Sequence, residues 1–164
     1  MFITVHAAAA TALSRYATSP LLAFVLGLLS HFILDMIPHG DEHLGKKFFG
    51  MKLREQPKDD FRILALYGII DSFFMAVFLI FLFKTFDFAT NDNTVWGIIG
   101  GILPDILVAF YKLKPNRWLK WLFDFHKFNH GWLINRLNAD IPLKIGVIMQ
   151  TTFMIILVWL IYIF

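Results

Sequence analysis

The stretch Ile63–Phe83 reads ILALYGIIDSFFMAVFLIFLF, 21 residues whose only charged side chain is Asp71. About 20 such residues form a helix long enough to cross the ~30 Å hydrocarbon core of a bilayer. Three further runs repeat the pattern. Ile145–Phe164 carries no charge, Val95–Tyr111 carries only Asp105, and Pro20–Pro38 carries His31 and Asp35. Residues 2–18 form a shorter, small-residue run with His6 and four consecutive alanines, closed by Thr18-Ser19-Pro20. Proline there suits a helix start after a turn. No basic residue precedes Arg15, which fits a cleaved signal peptide poorly.

The remaining composition agrees. Of 164 residues, 58% are hydrophobic and 16% charged, against about half and a quarter in a soluble domain. The 19 phenylalanines rule out a disordered chain, which would be poor in aromatics. The lack of cysteine removes disulfide frameworks, thiolate nucleophiles and Cys-type zinc sites. The pattern predicts an all-α, polytopic membrane helix bundle forming one integral-membrane domain over 1–164. Its four to five membrane helices cover about 2–18, 20–38, 63–83, 95–111 and 143–164. Residues 117–137 are too polar to span and interleave large aromatics with cations, which predicts an amphipathic helix at the interface. Trp118, Trp121 and Trp132 would lie at headgroup level.

The cations sort by segment. Lys46, Lys47, Lys52, Arg54, Lys58 and Arg62 fall in one loop, and Lys112, Lys114, Arg117, Lys120, Lys127, Arg136 and Lys144 in the other long segment. Only Arg15 and Lys84 remain for the opposite side. The positive-inside rule therefore predicts a multi-pass membrane protein with both basic segments in the cytoplasm. The net charge of +3 is then explained by orientation and anionic lipid, with no nucleic-acid partner. A homo-oligomer is left open.

The ionisable residues inside the runs share a depth. At 1.5 Å per residue, His31, Asp71 and Asp105 lie about 9–12 Å from the cytoplasmic helix ends, and His6 and Asp35 about 6–8 Å. Ala23, Gly27, His31, Asp35 and His39 recur every four residues and form one helical row. Gly97, Gly101 and Asp105 form another, and small residues at this spacing let membrane helices approach closely. His126 and His130 are also four apart. Such pairs are good metal-ligand spacings. Imidazoles with aspartates suit a divalent metal, zinc first, with manganese or iron as alternatives. Each residue also has a plain structural reading: Asp71 as a hydrogen-bond acceptor between helices, Asp105 as a partner of the Pro104 kink, His6 as a packed histidine, His43 as a solvated loop residue.

Ser30-His31-Phe-Ile-Leu-Asp35, Leu103-Pro104-Asp105-Ile106, His126-Lys-Phe-Asn-His130 and the early His6 resemble the motif set of bacterial inner-membrane metal-dependent hydrolases. That family is in turn similar to zinc-dependent phospholipase C. The resemblance implies His6, His31, Asp35, Asp105, His126 and His130 as metal ligands. Asp105 is followed by Ile-Leu-Val, where the family pattern carries a second Asp and a His, and Pro38-His39 offers a replacement ligand.

Three functions compete. A membrane metallohydrolase would act on a phosphoester, such as a lipid-linked phosphate, with Asp71 as general base. A metal-ion or proton transporter would need polar groups across the whole bilayer, yet the outer halves hold little beyond Gln150, Thr151 and Thr152. A non-catalytic scaffold would use the buried groups as helix glue, which is weak in membranes. No nucleophile elbow, glycine-rich phosphate loop or nucleotide fingerprint is present to compete.

Overall fold

The computed structural model describes residues 1–40, 57–138 and 141–163, with 57–64 as backbone helix only. The described residues form six α-helices and no strand: α1 (Ile3–Ser14), α2 (Pro20–Asp35), α3 (Pro57–Thr85), α4 (Asp92–Leu113), α5 (Arg117–Leu137) and α6 (Leu143–Ile163). A single 3₁₀ turn, Asp87–Thr90, links α3 to α4. The basic loop residues Lys46, Lys47, Lys52 and Arg54, and His43, lie outside the described residues, as do the side chains of Lys58 and Arg62.

Local chemistry sets the helix ends. Pro20 opens α2 and the Ser19 hydroxyl accepts the Leu22 N–H at 3.2 Å, an N-cap that satisfies a donor with no helical partner. Asn116 caps α5 in the same way through Leu119 at 2.9 Å. Asn138, at φ 48°, closes that helix in the left-handed conformation. The interfacial segment thus forms over the expected residues. Three other ends differ from the sequence reading. α1 stops at Ser14 rather than residue 18. α2 stops at Asp35 rather than 38, because Pro38 disfavours helical backbone at the residue before it. α3 begins at Pro57, six residues before the apolar run.

Those ends set the helix lengths. Ala65–Thr85, Asp92–Leu113 and Leu143–Ile163 are long and apolar enough to cross a membrane, while α1 and α2 are shorter apolar helices. The 16 residues of α2 rise about 24 Å. The protein is a membrane protein, and among the described residues three helices are of spanning length. Leu66, Ile69, Phe73, Phe74, Val77 and Ile80 of α3 all face outward, an apolar surface too large for water.

At the centre, α4 packs most extensively on α2 and then on α1, and α1 packs on α2. α6 and α3 lie against α1, and α5 lies across α4 and α2. Small residues make the central contact. A Cβ added to Gly27 of α2 would run into the Gly97 carbonyl of α4 and lie 2.9 Å from the Gly101 nitrogen. A Cβ on Gly100 would strike the Phe24 carbonyl. The rows read from the sequence therefore do face each other. This contact carries His31 and Asp35, farther along the α2 row, onto α4 beside Asp105.

Gly27→Ala is expected to cost about 1–3 kcal/mol, because its neighbours are backbone atoms that cannot give way. Gly68→Ala on α3, with nothing within 4 Å of the new Cβ, should be neutral or stabilise by up to about 1 kcal/mol. Thermal unfolding of the two variants in detergent checks the contrast.

Candidate metal centre

Asp35 is the hub. It ends α2 and is 1% exposed, so its carboxylate has left water. Its Oδ2 lies 3.2 Å from His31 Nε2 and 3.0 Å from His126 Nε2, yet takes no well-aligned hydrogen bond. Its Oδ1 lies 3.1 Å from His6 Nε2 and 2.7 Å from the Met1 nitrogen. Four groups, three imidazoles and the Met1 nitrogen, thus converge on one carboxylate.

The protonation of His31 follows from its other nitrogen. Nδ1 is 2.8 Å from the Gly101 carbonyl oxygen, and a carbonyl only accepts, so Nδ1 carries the proton and donates. In the neutral ring Nε2 is then a bare lone pair. It faces Asp35 Oδ2 at 3.2 Å, His126 Nε2 at 3.2 Å and Asp105 Oδ1 at 3.8 Å. A lone pair aimed at two carboxylates and another imidazole is repulsive unless a proton or a cation lies between them. A backbone carbonyl fixing the tautomer of a metal-ligating histidine is the usual outer-shell arrangement.

His126 comes from α5 and completes the group. Its Nε2 is 3.0 Å from Asp35 Oδ2 and 3.3 Å from Asp105 Oδ1. Asn129 Nδ2, one turn on, donates to the Phe32 carbonyl at 2.7 Å and pins α5 to α2. Ligand atoms of His31, Asp35, Asp105 and His126 all lie within 4.8 Å of one another. Two imidazoles and two carboxylates in that space, with an unsatisfied carboxylate oxygen at the centre, fit a divalent metal. Asp35, His39 and His130 make a second group of the same compactness.

The other expected ligands fall differently. His6 is fully buried and stacks on His31 with ring centroids 4.1 Å apart. Its Nε2 donates to Asp35 Oδ1, and its Nδ1 has no hydrogen-bond partner among the described residues. It touches Asp35 but belongs to neither ligand group. His130 joins the second group, not the first.

Asp71 stands apart from both. Its Oδ2 accepts the Ile3 N–H at 2.6 Å, and its Oδ1 accepts from the Thr4 hydroxyl at 2.8 Å and the Thr4 N–H at 3.3 Å. It caps the first turn of α1 from another helix, supplying acceptors that the turn lacks.

Two contributors were hidden in the sequence. Gln150, fully buried in α6, accepts the Phe2 N–H at 2.5 Å and donates to the His39 carbonyl at 3.4 Å. It lies at the metal-centre end of the bundle and not in an outer half, where its sequence position had placed it. The signal was present, since seven residues into α6 is about 10 Å of rise, the same layer as the other polar groups. Asn129 gave no sign, because its partner is a backbone carbonyl.

Comparison with known proteins finds no matching family model, curated protein or solved structure.

Burial opposes a charge on His126, but the Asp105 and Asp35 carboxylates within 3.3 Å outweigh it and push its pKa up to about 9. Any metal must displace that proton. Metal affinity should therefore weaken progressively as the pH falls below about 9. Nitrogen-detected NMR of the metal-free protein should show His126 still protonated at neutral pH and neutral after zinc is added. A neutral His126 in the metal-free protein would contradict the geometry.

Proposed function

We propose that this protein is an integral-membrane, metal-dependent hydrolase of a phosphoester, working at the cytoplasmic leaflet of the inner membrane. The observation that carries the reading is the His31–Asp35 arrangement, an Nε2 lone pair held by the Gly101 carbonyl against an unsatisfied buried carboxylate oxygen. The motif resemblance noted in the sequence points the same way.

The topology supports the site's level. Arg15 sits at the end of α1 remote from His6, where its guanidinium donates to the Ile161 carbonyl at 2.8 Å, near the far end of α6. The cation-rich α5 lies at the other end, with the His/Asp cluster. On α5, Trp118, Trp121, Phe125, Phe128 and Trp132 recur at alternating steps of three and four and are all exposed. This stripe suits a helix lying in the headgroup layer, and it lies on the helix that supplies His126. A lipid-linked phosphate would reach the site from that layer.

Within the site, His31, Asp35, Asp105 and His126 hold the metal. A divalent ion bound there supplies Lewis acidity and lowers the pKa of water enough to provide a nucleophile near neutral pH. Asp105, the most exposed member at 26%, is the edge that a phosphoryl group approaches. Asp71 serves as a positioning residue for α1 instead of the general base, because both its oxygens already accept hydrogen bonds.

Transport is the weaker reading. Beyond the cluster, the buried hydroxyls of Thr11 and Ser14 donate to the Ala7 and Thr11 carbonyls of their own helix. Ser14 also lies 3.4 Å from the Thr94 hydroxyl, which itself donates to the Phe88 carbonyl at 3.1 Å, and among the described residues these hydroxyls end on backbone carbonyls.

The purified protein should carry zinc, manganese or iron and hydrolyse bis-p-nitrophenyl phosphate or a diacylglycerol phosphate in mixed micelles. His31→Ala and Asp105→Asn should lower kcat/KM by at least about 100-fold, with metal lost, as expected when a ligand to an essential ion is removed. Asp71→Asn should keep its metal and most of its activity but unfold at lower temperature. A wild-type protein with metal and no phosphoesterase activity would overturn the hydrolase reading.

A further inference from the structure

We propose that the turn after α2 builds a second metal-binding position, formed by Asp35, His39 and His130, beside the first and sharing Asp35 with it. This inference rests on reading the His31–Asp35–Asp105–His126 group as a metal centre. The three ligand atoms lie within 4.8 Å of one another. The two oxygens of Asp35 face different partners, Oδ2 toward His31 and His126, Oδ1 toward the side on which His39 lies. A carboxylate used on both faces can serve two ions.

His39 is prepared as His31 is. Its Nδ1 lies 2.6 Å from the Ile37 carbonyl oxygen, so Nδ1 carries the proton and Nε2 is left as a lone pair. The Met1 ammonium lies 2.6 Å from that Nε2 and 2.7 Å from Asp35 Oδ1, so a cationic group already fills the point on which the two atoms converge, and a metal ion there would take its place. His130 follows His126 by one turn of α5, and its ring centroid is 4.4 Å from that of His39. One helix thus gives one histidine to each position. Two imidazoles and a carboxylate suit zinc or a metal of similar preference.

The fold spends close contacts on placing His39, which is 1% exposed. Pro38 ends the helix ahead of it, and Gly40 turns the chain at φ +78°, a conformation that favours glycine. α6 then presses on the turn. A Cβ on Gly146 would run into the His39 carbonyl oxygen, and Gln150 donates to that same oxygen at 3.4 Å. Gly146 and Gln150 are therefore positioning residues for His39. Gln150 at the same time accepts the Phe2 N–H at 2.5 Å.

A paired centre suits phosphoryl chemistry, because two ions can stabilise the attacking and the leaving oxygen of an in-line displacement together.

The test is zinc stoichiometry by mass spectrometry on zinc-loaded, gel-filtered protein in detergent, with a competitive dye titration of the wild type. The wild type should hold about two ions per chain and titrate in two steps. His39→Ala and His130→Ala should each hold about one, and Gly146→Val should lose the same ion through displacement of the His39 turn. His130 is half-buried on α5, so its variant reports even if His39→Ala does not fold. A single-step titration with one zinc, unchanged in His130→Ala, would overturn the second position and leave the first standing. A wild type that binds no metal would overturn both.

Discussion

Burial of the Asp35 carboxylate is the constraint on which the other elements depend. An ionised group withdrawn from water is tolerated only when paired and hydrogen-bonded. Here the partners come from every direction: His6 from α1, His31 from one turn earlier on α2, and His126 from α5. With Asp105 of α4 beside them, five ionisable side chains on four helices share a volume a few ångströms wide. Helix order, close packing and the crossing of α5 all serve that convergence. Among the described residues the Oδ2 atom takes no well-aligned hydrogen bond, and a metal ion displacing the His126 proton would complete the set.

Close approach of α1, α2 and α4 is what makes the convergence possible. Glycines and alanines bring their backbones into contact, in the way small residues pack membrane helices. Two polar residues then fix the ends. Asp71 holds the first turn of α1 by its N–H groups, and Gln150 ties Phe2 to the His39 carbonyl. Each lies in a helix that is otherwise mostly apolar and looks, from its own surroundings, like a costly exception. Both are acceptors for a helix end that would otherwise have unsatisfied donors inside an apolar bundle.

Much of this was legible in the residues. The all-helical membrane character followed from the apolar runs, and two rows suited to helix contact followed from Gly27, His31 and Asp35 and from Gly97, Gly101 and Asp105, while their contact with each other is seen only in the structure. Residues 117–137 showed their helix through interleaved aromatics and cations, and in the structure Asn116 and Asn138 fix its ends. Three things were not legible. The lengths of α1 and α2 depend on turn chemistry at Arg15 and Pro38 that hydropathy does not register. The separation of Asp71 from the other carboxylates depends on lateral helix order, and depth along a helix says nothing about which neighbour it faces. The ligand-ready tautomers of His31 and His39 depend on backbone carbonyls, which carry no sequence signature. Spacing could nominate histidines as ligands, but only the partner of the other ring nitrogen shows that the lone pair points inward.

The central claim is that the buried His/Asp cluster is a metal centre, and zinc K-edge X-ray absorption on the loaded protein tests it most directly. The account predicts a first shell of nitrogen and oxygen at about 2.0–2.2 Å, with the outer-shell scattering of coordinated imidazole, and loss of part of that imidazole signal in His31→Ala. A spectrum with no imidazole contribution, or one left unchanged by His31→Ala, would contradict it.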